Sequence, residues 1–222
     1  MLGPIAIMPS APVLVPELAG AAVEAAELRV AALEAATYLP KRWIAFGAGP
    51  DAVYGPGSAG SFGGFGADVA VQLSPDAAES VDLPLPALVA GWVRGQISPD
   101  AEVTVHCWAD PGTALDAGRR VRARIDDAAE PVGVLVLADG ANTLTPTAPG
   151  GHHPADVESQ RVLDEALAGG DVGALTGLPA PVIGRAAYAA LAGLAGAEPR
   201  AVTELYRAAP YGVGYFVGVW QQ

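Results

Sequence analysis

Three segments of this chain combine ionisable or metal-binding side chains with a position directly after an apolar run. Asp51 follows "RWIAFGAGP", while Asp139 and Asn142 follow "VGVLVLA", with His152 and His153 further along the same polar segment. Ser10 lies in "PSAP", after the first apolar run. Carboxylates and imidazoles exchange protons when their surroundings separate their pKa values, and both bind divalent metals. These segments therefore supply the candidate site residues.

The two adjacent histidines have two interpretations, and the sequence leaves both open. Neighbouring side chains diverge, so joint binding of one ion by His152 and His153 is geometrically awkward. In one interpretation they belong to a polar loop that precedes a helix starting near Pro154. In the other, one imidazole reaches a pocket and titrates near neutral pH. The third histidine, His106, falls within a strand and is expected to be a core or supporting residue.

Short apolar runs bounded by Gly, Pro or Asp predict the strands. They are "GPIAIM", "RWIAFGA", "ADVAVQL", "EVTVHCW", "VGVLVLA" and "GVGYFVGVW". Several are apolar at consecutive positions, which is typical of strands covered on both faces. With helices predicted between them, the chain is expected to form one α/β domain over 1–222. We expect three layers, with a central mixed, largely parallel sheet flanked by helices.

The helices are predicted from apolar spacing and from prolines at their starts. The first helical stretch is "PELAGAAVEAAELRVAALEAATYL", with a helix start near Pro16, and a C-terminal helical group includes "PRAVTELYRAA". The glycine-rich "YGPGSAGSFGGFGAD" has the weakest preference for helix or strand. In open α/β sheets, ligands bind at the carboxyl ends of strands. The site is therefore expected where the polar segments follow the strands.

Composition excludes several classes of function. The formal net charge of −12 disfavours binding to a phosphate backbone, so no nucleic-acid partner is expected. No segment has the length and apolarity of a membrane span, and the basic start of a secretory signal is absent. We therefore expect a cytoplasmic protein with no membrane partner. The single cysteine, Cys107, is predicted to be an inert core thiol.

A glycine pattern after the second strand resembles a dinucleotide-binding fingerprint only in part. Gly47, Gly49 and Ala52 match the spacing, but that fingerprint needs a helix to open there. Pro50 and the following "VYGPGSAG" are incompatible with the first turns of a helix. The glycines are therefore interpreted as loop residues, and nicotinamide binding is not expected.

The segment after the fifth strand-like run resembles the class III extradiol ring-cleavage dioxygenases. This superfamily includes the catalytic subunit of protocatechuate dioxygenase and its Memo-like relatives. "ADGANTLTPTAPGG" is similar to the family's motif at this place, with six matching positions: Leu144, Thr145, Pro146, Ala148, Pro149 and Gly150. The opening "IMPSAPVLVPELAG", "RWIAFGAGPDA", "PVIGRAAYAALAGLAGA" and the terminal "APYGVGYFVGVW" resemble further family motifs in the same order.

The resemblance implies Fe(II) held by two histidines and one carboxylate, with a further histidine as acid or base. This sequence departs from that pattern at each position. Ser10 occupies the first ligand position, Pro50 or Asp51 the second, and Arg185 falls near the carboxylate. Asn142 replaces the acid–base histidine. The resemblance therefore implies that the family's metal site has been lost, so no metal or other cofactor is expected.

Three hypotheses of function remain open at this point. In the first, the chain is dioxygenase-like without Fe(II) ring cleavage and binds a small aromatic or acidic ligand or a partner subunit. In the second, it is an active metal-dependent oxidoreductase or acid–base enzyme with a rearranged site; Fe(II) or another divalent metal enters only here. In the third, it is a structural homo-oligomer with an interface at the glycine-rich loop and the last strand, including Phe216 and Trp220.

No catalytic residue is assigned by the sequence. The candidate pocket is predicted to contain seven residues: Ser10, Asp51, Asp139, Asn142, His152, His153 and Tyr211. Tyr215 is a further candidate under the second hypothesis.

Overall fold

A seven-stranded mixed sheet forms the centre of the protein in a computed structural model that describes residues 1–20 and 22–222. Its strands are β1 (Leu2–Met8), β2 (Arg42–Ala48), β3 (Ala52–Tyr54), β7 (Glu102–Trp108), β8 (Val132–Leu137), β9 (Ala201–Ala208) and β10 (Tyr215–Gln221). Their spatial order is β3-β7-β2-β8-β1-β10-β9. The four central strands, β7, β2, β8 and β1, are parallel. β3 pairs antiparallel with β7, β10 with β1, and β9 with β10.

Helices cover both faces of this sheet, which confirms the predicted three-layer α/β fold. They are α1 (Pro16–Ala19), α2 (Glu24–Ala36), α3 (Leu85–Ile97), α4 (Pro111–Asp126), α5 (Asp156–Gly169) and α6 (Arg185–Ala195). Apolar side chains of α2 and α3 pack on one face, and those of α4, α5 and α6 pack on the other. Within the described ranges, no helix combines the length and apolarity needed to cross a membrane.

The parallel strands are buried on both faces because their sequences are apolar at consecutive positions. All six residues of β8 are buried, and its neighbours β1 and β2 hold it in register, with Ile5 and Ile44 both opposite Val134. This arrangement explains why the runs lack polar alternation. It also brings the ends of β1, β2 and β8 together at one edge.

The glycine-rich segment is more regular than its composition predicts. It contributes β4 (Ser58–Ser61) and a 3-10 helix (Phe62–Phe65), and β4 pairs with β5 (Ala70–Gln72) and β6 (Glu79–Ser80) in a small second sheet. Gly60 faces Leu83 so closely that an added Cβ would lie 2.9 Å from its Cδ1. The glycines here therefore permit close packing. The predicted strand "ADVAVQL" contributes β5 to this small sheet and does not belong to the central sheet.

The helix predicted at "PRAVTELYRAA" is wrong, because this segment forms strand β9. β9 pairs with β10 along its whole length, so backbone pairing outweighs a helical preference that was weak for Val, Thr and Tyr. The last strand is also not an exposed interface, since Phe216 and Trp220 are 1% and 0% exposed. Both side chains pack in the core against α5 and α6.

The first predicted helical stretch forms two helices. α1 ends at Ala19 and α2 begins at Glu24. Gly20 follows α1 with a φ of 57°, a conformation that favours glycine and stops the helix. Ala21 lies outside the described residues.

Candidate functional site

A pocket of about 250 Å³ opens at the carboxyl ends of β1, β2 and β8. Ser10, Ala48 and Asp139 follow or end these three strands, and Leu85 and Pro86 at the start of α3 form one wall. The opposite wall contains Ile183 and Gly184, just before α6. Open α/β sheets bind ligands at this edge, and Ser10 and Asp139 were predicted as site residues from their positions after these strands.

Asp139 is the ionisable group of this pocket. Its Oδ1 accepts a hydrogen bond of 3.0 Å from the backbone N–H of Ser10. Burial raises the pKa of Asp139 to about 7, and the Ser10 N–H opposes this rise. The residue is half-buried and no arginine or lysine lines the pocket. The Asp139 carboxyl therefore loses its proton near neutral pH, and it changes there from a hydrogen-bond donor to an acceptor.

Two tyrosines surround Asp139 and remain uncharged. The Tyr188 hydroxyl donates a hydrogen bond of 3.0 Å to the carbonyl oxygen of Ala138, and its side chain is 1% exposed. Burial first, and the Asp139 charge second, raise the pKa of Tyr188 and of Tyr215. The surroundings of Asp139 are thus phenolic and apolar, which explains its affinity for a proton.

Glycines allow the pocket walls to approach the strand ends. A Cβ on Gly184 would lie 2.6 Å from both the Asp139 carbonyl oxygen and the Ala138 Cβ. A Cβ on Gly47 would lie 2.4 Å from the Cβ of Pro86. The loop interpretation of Gly47 is therefore wrong, because this residue lies in β2. Gly47 and Gly184 have a packing role, since they set the distance between α3, α6 and the sheet edge.

Gln160 of α5 holds the loop that follows Asp139, and sequence analysis missed it. This side chain is 7% exposed; its Oε1 accepts from the Ala141 N–H at 2.8 Å, and its Nε2 donates to Asp164 at 2.7 Å. Cβ atoms on Gly140 and Gly214 would lie about 2 Å from its amide. The sequence does contain a signal for this role. Gln160 precedes Asp164 by four residues, a spacing that allows a side-chain hydrogen bond on a helix, and the buried Leu163 lies next to Asp164.

The structure brings together Ser10 and Asp139 but not the other predicted residues. Asp51 is exposed, and its Oδ1 accepts from the Ala109 N–H at 2.9 Å. Asn142 is half-buried against Gly150, whose N–H donates to the Asn142 carbonyl oxygen at 2.9 Å. None of these side chains lines the Asp139 pocket.

The two adjacent histidines and Tyr211 also lie apart from the pocket lining. His152 and His153 are exposed, and the His153 backbone N–H donates to the carbonyl oxygen of Thr143. Tyr211 packs against the apolar cluster of the α2 side, where burial and then the Glu24 charge raise its pKa. The polar-loop interpretation of the histidines agrees with this placement.

The donor set of the pocket does not fit Fe(II) in the arrangement that the resemblance implies. Ser10 and Asp139 offer one hydroxyl and one carboxylate, and no imidazole lines the cavity. Across residues 1–20 and 22–222, no group of three or more His, Cys, Asp or Glu side chains is placed to hold a metal ion. Two histidines with a carboxylate are needed for that site.

Arg185 lies beside the pocket in an adjoining cavity of about 430 Å³. The two cavities share the lining residues Ala48 and Ile183, so they are direct neighbours. The Arg185 guanidinium donates to the Ala180 carbonyl oxygen at 2.8 Å and is half-buried. The Asp139 pocket therefore contains a titratable carboxyl, and the neighbouring cavity contains a positive charge.

Comparison with known proteins gives a fold relationship only. No protein-family model matches the chain, and no curated protein sequence is significantly similar to it. The crystal structure of the uncharacterized Escherichia coli K12 protein JW3007 is similar, with a TM-score of 0.58 and 11% sequence identity. The match covers 98% of this chain and 99% of that one. The shared fold thus extends over the whole length.

Proposed function

We propose that this chain is a dioxygenase-like protein that binds a small hydroxylated aromatic acid without cleaving its ring through Fe(II). The observation that carries the proposal is the Asp139 pocket, which lies at the ligand-binding edge of the sheet and contains a carboxyl but no imidazole. The motif order of the class III extradiol dioxygenases supports the aromatic class of ligand.

We infer that the ligand spans the two neighbouring cavities, each of which selects one of its polar groups. Asp139, whose pKa is raised to about 7, can donate a hydrogen bond to a ligand hydroxyl when protonated and accept one when ionised. Arg185 attracts a carboxylate, since guanidinium groups bind carboxylates through charge-assisted hydrogen bonds. Apolar side chains between them, including Ile183, suit a ring. A dihydroxybenzoate has this arrangement of groups.

Calorimetric titration with protocatechuate and with catechol tests the binding step. Protocatechuate is expected to bind the wild-type protein, and catechol to bind more weakly because it lacks the carboxylate. Asp139→Ala and Arg185→Gln should each weaken protocatechuate binding about tenfold or more. Asp51→Asn is the matched control, because Asp51 is a carboxylate outside the pocket. Loss of binding in Asp51→Asn alone would contradict the proposal.

Iron loading tests the chemical part of the proposal. Protein incubated anaerobically with Fe(II) and desalted is expected to retain no stoichiometric iron. Addition of protocatechuate or catechol in air should then give no oxygen uptake above that of a protein-free control. Stoichiometric iron together with substrate-dependent oxygen uptake would overturn the proposal and favour the rearranged metal site.

Acid–base catalysis is a second candidate function, favoured by the pKa of Asp139. A general acid or base works best when its pKa lies near the working pH, and burial brings Asp139 to about 7. Exchange of carbon-bound hydrogen for deuterium in a set of keto acids, followed by NMR, tests this candidate. Exchange catalysed by the wild type and lost in Asp139→Asn would support it. The homo-oligomer stays a hypothesis that light scattering can test.

A further inference from the structure

A second groove lies on the central sheet at the end opposite to the Asp139 pocket. It is lined by residues at the starts of β2 and β7, among them Arg42, Ile44 and Glu102, and by Arg124 near the end of α4. Val132, the first residue of β8, also lines it, whereas Leu137 at the other end of β8 lines the Asp139 pocket. The two cavities are therefore separate sites.

Two arginines of the groove have unused hydrogen-bonding capacity. Neither Arg42 nor Arg124 has an ion pair or a side-chain hydrogen bond to any residue that the structure describes. Other arginines, such as Arg161 and Arg207, are paired with glutamates on their own element. The chain has a net charge of −12, so a groove with two unpaired guanidinium groups is a positively charged region on an acidic protein.

The floor of the groove presents further polar groups without a protein partner. Thr104 and His106 point to the same face of β7, because alternate residues of a strand share a face. Within the described residues, neither the Thr104 hydroxyl nor the His106 ring forms a hydrogen bond. Trp108 stacks on His106 with ring centroids 5.6 Å apart and 13° between planes, which fixes the imidazole.

The charge on His106 depends on the groups around it. Burial, and secondarily the Arg124 charge, lower the pKa of His106. The neutral ring can still donate one N–H to an anion, while Arg42 and Arg124 supply the attraction. Glu102, also in the lining, offsets one of the two positive charges. The side chains of the lining thus carry one net positive charge, which attracts an anion.

Apolar side chains complete the lining and define the rest of the ligand. Trp43, Ile44, Pro56, Ile125 and Val132 surround the polar floor. The volume of about 350 Å³ is within the range of small-molecule sites, ~300–1,000 Å³. We propose that this groove is a second binding site, which takes an organic monocarboxylate whose apolar body packs on these side chains and whose carboxylate contacts Arg42 and Arg124.

Titration with benzoate, observed through the imidazole NMR signals of histidine-labelled protein, tests the proposal. The chain has three histidines, and His106 alone lies in the groove, so His152 and His153 are internal controls. Benzoate is expected to shift the His106 signal in a saturable way and to leave the other two unchanged. Benzamide, which is neutral and of similar shape, should bind at least about tenfold more weakly.

Charge variants separate this site from a nonspecific effect. Arg42→Gln and Arg124→Gln should each weaken benzoate binding about tenfold or more. Arg120→Gln, on the same helix but outside the groove, should not, and Glu102→Gln should strengthen binding. Asp139→Ala should leave the His106 titration unchanged, so the outcome is independent of the proposed function. An unshifted His106 signal at saturating benzoate, or equal affinity in all arginine variants, would overturn the proposal.

Discussion

The backbone N–H of Ser10 donates a hydrogen bond of 3.0 Å to Oδ1 of Asp139, although the two residues are 129 positions apart. The pairing of β1 with β8 explains this contact, because Met8 lies opposite Leu137 and the next residues continue in the same register. Each residue follows its strand by the same number of positions. The parallel register thus places a carboxyl where a ligand would enter.

Replacing Asp139 by asparagine should remove a pH dependence of stability. Burial raises the pKa of Asp139 to about 7 in the folded protein, against about 3.9 in an unfolded chain. The folded state therefore binds this proton more tightly. Its contribution to the unfolding free energy is complete below the unfolded pKa and is lost as the pH rises through the folded pKa.

Urea unfolding of the wild type and Asp139→Asn across this pH window measures the effect. The stability of the wild type relative to the variant should fall as the pH rises through the window. Asp76→Asn, at an exposed position, controls for the loss of one surface carboxylate. Parallel pH profiles for the wild type and Asp139→Asn would show that the carboxyl is not held protonated.

Gly214→Ala should destabilise the protein through Gln160. The added Cβ would lie 2.1 Å from the Gln160 Cδ, so this buried amide would have to leave its place. The Ala141 N–H would then lose its acceptor, and an unsatisfied buried group costs about 1–3 kcal/mol. Chemical denaturation of Gly214→Ala, Gln160→Ala and the double variant measures the coupling. The double variant should cost clearly less than the sum, and simple additivity would refute the contact.

Two helix glycines should respond to alanine with opposite signs. Gly193 of α6 packs against α4 so closely that a Cβ would lie 2.0 Å from the Leu115 carbonyl oxygen. Gly193→Ala must therefore separate the helices, at a cost of about 1–3 kcal/mol. Gly95 of α3 has open space around it, and alanine there should stabilise by about 0.5–1 kcal/mol. Thermal unfolding of both variants checks the pair; equal destabilisation would be inconsistent with this packing.

The single thiol should be unreactive in the native protein. Cys107 is 1% exposed, and burial raises its pKa to about 12, so little thiolate forms near neutral pH. A chromogenic disulfide reagent is expected to modify it slowly in buffer and completely in denaturant. The Cys107→Ser variant provides the blank. Rapid stoichiometric modification of the folded protein would place this thiol at an accessible site.

Local patterns in the sequence are sufficient to predict the layers and the edge of the sheet where the Asp139 pocket lies. Consecutive apolar residues in β8 indicate a strand covered on both faces, and polar residues after it mark the edge where Asp139 lies. Both inferences concern residues close together in the chain. β9 was mistaken for a helix because its pairing with β10, which a single segment does not encode, decided its conformation.

Apolar runs and the polar residues after them are enough to predict the α/β architecture and to make Ser10 and Asp139 candidates. The tertiary structure alone decided that these two meet, while Asp51, His152 and His153 lie outside the pocket lining. The role of Gln160 also depends on the tertiary structure, because its amide fits only against Gly140 and Gly214, which are distant from it in the chain. The physical reason is that burial and hydrogen-bond partners depend on register and close approach between remote segments, whereas hydrophobic periodicity is local.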